Sequence, residues 1–125
     1  MFMLSVADYL STTANDRSLS EVVALASKKR GKWETYSFKE YDSISSGLAL
    51  GLTAMGITKG DMVVTISGNC PEWNFIDVAL MKIGAVHVAL FPNFNLQEIT
   101  KILNECEAKI VFSGIGILQK QIEDN

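Results

Sequence analysis

Met62-Val63-Val64-Thr65-Ile66, the segment Pro71-Glu72-Trp73 through Ile83-Gly84, and Val86-His87-Val88-Ala89-Leu90-Phe91 form the stretch that decides the fold. The two outer runs are almost continuously apolar instead of alternating. Strands with that pattern are covered on both faces, which implies a parallel sheet. Between them, Trp73, Ile76, Leu80 and Ile83 recur at helical spacing. Pro71 stands where a helix loses no hydrogen bond to it, and Gly84 is the expected left-handed stop. A helix of this length makes a crossover, and such connections are right-handed almost without exception.

The same alternation continues on both sides. Downstream, Asn95 with Glu98 forms a capping box, and Leu96, Ile99, Leu103 and Cys106 make another helical stripe. Ile110-Val111-Phe112 reads as a strand, and Ile115, Leu118 and Ile122 as a last helical segment. Upstream, Lys59-Gly60-Asp61 makes a turn. Before it, Phe38, Tyr41, Ile44, Leu48, Leu52 and Met55 form a stripe capped by Ser37 with Glu40 and stopped at Gly56. Gly47 and Gly51 lie four apart within this helix and imply the close approach of another backbone. Val22 to Ala26 and Trp33 to Tyr36 read as a hairpin, and residues 6–15 as a short surface helix.

The predicted fold class is therefore α/β: a doubly wound, mostly parallel sheet in β-α-β-α-β-α order, preceded by a short helix and a β-hairpin. Residues 1–125 read as a single unit. Residues 1–32 hold the helix and the first hairpin strand, and residues 33–125 the α/β layer.

Composition sets the outer limits. The chain has 125 residues, 48% apolar and 20% charged, with a formal net charge of −3. That is ordinary globular material, long enough for one core. Eleven basic against 14 acidic residues argue against a nucleic-acid partner. The one basic run, Lys28-Lys29-Arg30, reads as a solvated turn beside Gly31. No apolar stretch approaches the roughly 18 residues of a membrane span. Met1 to Leu4 is too short for a secretory core, so a cytoplasmic location is expected. Cys70 and Cys106 lie 36 positions apart with no ligand-spaced Cys or His, which fits half-buried thiols and no metal site.

Reactive groups are few. His87 lies inside an apolar run, which implies a buried or half-buried, hydrogen-bonded ring; no Ser, Cys or Asp is placed beside it to form a triad, so no catalytic role follows. Glu105 and Glu107 flank Cys106 at a helix end and do not face each other. Ser113-Gly114-Ile115-Gly116-Ile117-Leu118-Gln119 follows a strand in the context of a dinucleotide loop, but Gln119 replaces the third glycine. Ser67-Gly68-Asn69-Cys70-Pro71-Glu72-Trp73 leaves a strand at the edge where open α/β sheets bind ligands. Gly68 frees its backbone, and Asn69 or Cys70 is placed to cap the next helix. Phe91-Pro92-Asn93-Phe94-Asn95 leaves at the same edge, with two aromatics on which a flat ring can stack or a neighbouring domain can pack.

Five blocks carry a family resemblance. Trp33-Glu34-Thr35-Tyr36, running on to Glu40-Tyr41, resembles the W-x-T-Y opening of the adenylate-forming acyl-CoA synthetases. Gly56-Ile57 with Gly60-Asp61 and Val63 is similar to their G-[IV]-x-x-G-D-x-V turn. Asn69-Cys70-Pro71-Glu72-Trp73 resembles the N-x-P-E-W of the long-chain fatty-acid members. Lys82-Ile83-Gly84-Ala85-Val86 through Leu90-Phe91-Pro92, and Ala108-Lys109-Ile110-Val111-Phe112, resemble two further blocks. Ala89 stands where the family usually has Pro, and Asn93 where Thr is usual.

The resemblance implies the opening subdomain of the AMP-binding N-terminal domain of a larger ligase. Family enzymes join a carboxylic acid, here expected to be a fatty acid, to CoA, using ATP and Mg²⁺. The family's phosphate loop, ribose-binding Asp and catalytic Lys lie beyond these blocks. No catalytic residue is therefore assigned, no cofactor is expected to bind this stretch well, and the chain alone is expected to be inactive. Phe91 and Asn93 are the one carry-over, as a surface near the nucleotide end of CoA. Self-association is expected through surface that the rest of the enzyme covers. Two other readings stay open: a free-standing α/β interaction module, and a small flavodoxin-like nucleotide-binding domain.

Overall fold

The structure is a computed structural model and describes residues 4–114. Its elements are α1 (Val6–Asn15), β1 (Val23–Lys29), β2 (Lys32–Ser37), α2 (Phe38–Ala54), β3 (Met62–Ile66), α3 (Pro71–Ile83), β4 (Val86–Leu90), α4 (Leu96–Glu105) and β5 (Ile110–Ser113). β1 and β2 form an antiparallel hairpin turned by Arg30 and Gly31, both at positive φ. β3, β4 and β5 form a parallel sheet in the order β4-β3-β5. The chain leaves the central strand to one side through α3, then crosses to the other side through α4. That is the doubly wound arrangement the apolar runs predict. The segment read from Ile115, Leu118 and Ile122 lies outside the described residues.

Local chemistry sets the helix starts. Ser5 with Asp8, Ser37 with Glu40 and Asn95 with Glu98 each close a capping box, satisfying backbone donors at the N-termini of α1, α2 and α4. α3 begins differently, with Pro71 in its first turn and Cys70 as an N-cap that makes no side-chain capping bond. The expected cap from Asn69 or Cys70 is therefore not made. Gly84 ends α3 in the left-handed region, and its carbonyl accepts from the Gly60 N–H at 2.9 Å.

Burial is centred on β3. Alternate strand residues point to opposite faces. Val63 packs with Ala49 and Leu52 of α2 and with Ile76, Ala79 and Leu80 of α3. Val64 and Ile66 pack with Leu90 and with Ile99 of α4. Each fully buried Val, Leu or Ile among them contributes about 1.5–3 kcal/mol by leaving water. A third cluster joins Ala7 and Leu10 of α1 to Val78. Phe75 meets Tyr36 and Tyr41 edge-on at 5.1 and 5.7 Å. Beside it, Lys82 Nζ donates to Ser11 Oγ and Asp42 Oδ1, both at 2.9 Å, and Ser11 Oγ donates to the same carboxylate at 2.7 Å. This half-buried clamp ties α1, α2 and α3 together.

Three expectations are corrected. The buried face of α2 runs through Ser45, Ala49 and Leu52, while Met55 at the end of the predicted stripe is 70% exposed and Ile44 is also exposed. The stripe lay partly on the wrong side because small residues, which the apolar pattern passes over, allow α3 to approach. No backbone closes on Gly47 or Gly51, since a Cβ at either would meet nothing within 4 Å. Lys29 is also more than part of a solvated turn. It bridges Glu34 at 3.3 Å and Glu72 at 2.9 Å, linking the hairpin to α3.

Lys82→Met leaves the Asp42 carboxylate half-buried without its cation. Urea unfolding should show a loss of about 1.5–3 kcal/mol, and an unchanged midpoint would show that the clamp adds nothing. A second expectation concerns acid. Thr58 donates its N–H and hydroxyl to Asp61 at 2.9 and 3.1 Å, and these bonds hold the carboxyl below its ordinary value. A lowered folded pKa means that the unfolded chain binds more protons. The stability is therefore full above the ordinary 3.8 and is lost as pH falls through the folded value. Urea midpoints should fall below about pH 4, and Asp61→Asn should flatten that limb. A limb of unaltered slope would place the acid sensitivity elsewhere.

Candidate functional site

Adjacent strands β3 and β4 send their following helices to opposite faces of the sheet. A crevice opens where neighbouring chains part in this way, and open α/β sheets bind ligands there. The structure holds a cleft of about 360 Å³ at this point, between the Ser67–Cys70 turn, Trp73 and Asn74 of α3, and Ala89 to Phe91. Asn74 Nδ2 donates to the Cys70 carbonyl at 3.2 Å and shapes one rim. Phe91 forms the opposite rim and is 68% exposed. Gly114 supports the turn from β5. Its N–H donates to the Ile66 carbonyl, and a Cβ there would sit 3.1 Å from Ser67 Cβ. The described part of the incomplete glycine motif thus serves close packing, and the rest lies outside the described residues.

Beneath one wall lies a polar chain that no sequence spacing announced. His87 pairs with Val63 across the sheet, so its side chain shares a face with Val63 and Thr65. His87 Nδ1 lies 2.8 Å from Asp77 Oδ1 of α3, and His87 Nε2 lies 2.8 Å from Thr65 Oγ1. The Asp77 carboxylate can only accept, which assigns a proton to Nδ1; in that neutral tautomer Nε2 accepts from the Thr65 hydroxyl, and in the imidazolium it donates to it. The His87 ring meets Trp73 at 4.9 Å and 45°. The reading that no Asp stands beside His87 is therefore corrected, because Asp77 is ten residues away in sequence and is brought in by the crossover. The chain of three resembles a triad only in order. Thr65 is 2% exposed, so its hydroxyl cannot meet a substrate.

The other sequence candidates disperse. Asn93 is exposed, two residues beyond Phe91 and outside the cleft lining. Phe94 does not join Phe91 as a stacking surface. It packs inward on the cluster of Val64, Ile66 and Ile99. Glu105 lies near Lys101 at 3.8 Å on the outer face of α4. A second groove of about 400 Å³ shares Asn69, Cys70 and Asn74 with the cleft and runs on to Lys28 and Trp33 of the hairpin. At its edge, the hydrogen bond from Lys29 holds the Glu72 carboxyl below its usual range.

Fold and cleft together define a doubly wound α/β layer open to a ligand at its crossover. The chain belongs to the family of AMP-binding enzymes, which matches residues 12–124. It is 34% identical over 110 residues to the medium-chain fatty-acid–CoA ligase of Escherichia coli (strain K12), covering 87% of this chain and 18% of that protein. It is 29% identical over 87 residues to 4-coumarate–CoA ligase 3 of Oryza sativa subsp. japonica, covering 70% and 16%. The inhibitor-bound N-terminal domain of FACL13 from Mycobacterium tuberculosis shares the fold, with a TM-score of 0.86 at 22% identity over 98% of this chain and 30% of that one. The chain thus spans less than a fifth of the length of the two ligases.

Thr65→Val removes the hydroxyl and leaves His87 Nε2 without its partner. The expected loss in urea unfolding is about 1–3 kcal/mol, the cost of an unpaired buried polar atom. A variant as stable as the parent would show that water replaces the hydroxyl.

Proposed function

We propose that this chain is the opening subdomain, residues 1–125, of an ATP-dependent ligase that joins a fatty acid to CoA. The carboxylate attacks the α-phosphorus of ATP and displaces pyrophosphate, and the CoA thiol then displaces AMP from the acyl-adenylate. AMP leaves readily where hydroxide would not, and Mg²⁺ with cationic side chains neutralises the phosphate charge. The observation that carries the reading is the family match over residues 12–124 on a chain whose cleft opens at the crossover. The similarity to the medium-chain fatty-acid ligase, which runs over 87% of this chain, supports a fatty acid.

The cleft suits a ring better than a polyphosphate. Its lining combines Trp73 and Phe91 with the neutral polar groups of Ser67, Asn69 and Asn74, and it includes no Lys or Arg. We read the exposed face of Phe91 as a stacking surface for the nucleotide end of CoA, with Asn93, exposed two residues on in the same turn, as its polar neighbour. Among the described residues no cluster of Asp, Glu, His or Cys comes together that could hold a metal. The triphosphate and Mg²⁺ are assigned to other parts of the parent enzyme. We read the parent as a cytoplasmic enzyme, where its ATP and CoA are found; none of the described helices is long and apolar enough to cross a membrane. Exposed Leu50, Met55 and Val86 mark surface for the rest of the enzyme, through which the isolated chain would self-associate.

The test is acid-dependent exchange of labelled pyrophosphate into ATP. The 125-residue chain should give none, and the parent enzyme should give exchange with octanoate or palmitate but far less with 4-coumarate. Exchange by the chain alone would overturn its assignment as an inactive subdomain. Preference of the parent for 4-coumarate would overturn the fatty-acid assignment.

A further inference from the structure

We propose that His87 is a positioning residue: locked between Asp77 and Thr65, it sets where the Trp73 wall stands relative to the Phe91 wall of the cleft. Trp73 and Asp77 lie four apart on α3 and so share a face. His87 is on β4, and Phe91 immediately follows that strand. The Asp77–His87 bond therefore joins the same two elements whose ends form the opposing walls. An imidazole held by one bond can rotate about its last torsion, which is soft. Here both ring nitrogens are engaged at 2.8 Å, and turning the ring over would bring carbons to Asp77 and Thr65 and forfeit both bonds. With the ring held, the indole that meets it at 4.9 Å and 45° packs against a fixed surface.

Burial strengthens the case. The His87 side chain is 9% exposed in a layer that Val63 and Leu80 otherwise make apolar. Polar groups in such a layer add little net stability over an apolar filling, but they select one arrangement among many. The consequence for CoA rests on the ligase reading, whereas the placing of Trp73 does not.

The test uses the 125-residue chain carrying Trp33→Phe, which leaves Trp73 as the one tryptophan of the two. Into it go Asp77→Leu, which removes the acceptor, and Asp77→Asn, whose amide oxygen still accepts from Nδ1. The readouts are the near-ultraviolet circular dichroism of Trp73, its quenching by acrylamide and, in the parent enzyme carrying the same Asp77 substitutions, the KM for CoA. Far-ultraviolet circular dichroism serves as the folding control. Asp77→Leu should weaken the Trp73 band, expose the indole to acrylamide and raise the parent's KM for CoA about tenfold. Asp77→Asn should restore all three. A folded Asp77→Leu chain with an unchanged Trp73 signal overturns the proposal, as does a failure of Asp77→Asn to restore it. If Asp77→Leu does not fold, His87→Phe takes its place: it keeps a ring beneath Trp73 without either hydrogen bond. Loosening of Trp73 there supports the proposal, and an unaltered signal overturns it. If Trp73 loosens while the parent's KM for CoA stays unchanged, the ligand assignment of the cleft falls, and the Trp73 readouts still decide the role of His87.

Discussion

A strand of five residues covered on both faces governs this structure. Met62 to Ile66 sits between β4 and β5, and four of its five side chains are buried. Its backbone groups are satisfied by both neighbours, and its side chains are taken alternately by α2 with α3 and by α4. A strand so placed needs cover on both faces: α2 and α3 supply one, and α4, between β4 and β5, supplies the other. Much else follows from that requirement, including the sheet order, the burial of α3 and the position of the cleft.

α3 shows how the constraint spreads. It gives Ile76, Ala79 and Leu80 to the sheet and α2, Val78 to α1, Phe75 to the aromatic pair Tyr36 and Tyr41, and Trp73 with Asp77 to His87. The stripe of Trp73, Ile76, Leu80 and Ile83 marks this helix but only part of the surface it buries, and its polar residues find partners. Asp77 and Lys82 do so in separate networks, one beneath the cleft and one against α1. The cleft thus lies next to the most constrained helix of the described chain, which suits a site that needs fixed walls.

Where the sequence misled, the reason is three-dimensional. Gly47 and Gly51 share the spacing of a close helix contact, but helical spacing does not say which side a neighbour takes, and both face open space. Phe91 and Phe94 look like a pair of ring surfaces. The turn between β4 and α4 sends one to solvent and the other into the core. His87 has no chemical partner within reach along the chain, because its partners come from β3 and α3 and meet it only once the crossover is made.

Order along the chain determined a great deal by itself. Capping boxes, glycine stops and apolar runs are local codes, each set by backbone hydrogen bonding and burial within a few residues. They specified the α/β class, the hairpin, the helix starts and the parallel winding, and the ordered blocks pointed to the family. Only the tertiary structure decided which strand lies at the centre of the sheet, where the walls of the cleft stand, and that Asp77, His87 and Thr65 form one polar chain. Those facts depend on contacts between residues far apart in sequence, whose distances are set by the packing of helices on a sheet and leave no periodic trace in the chain.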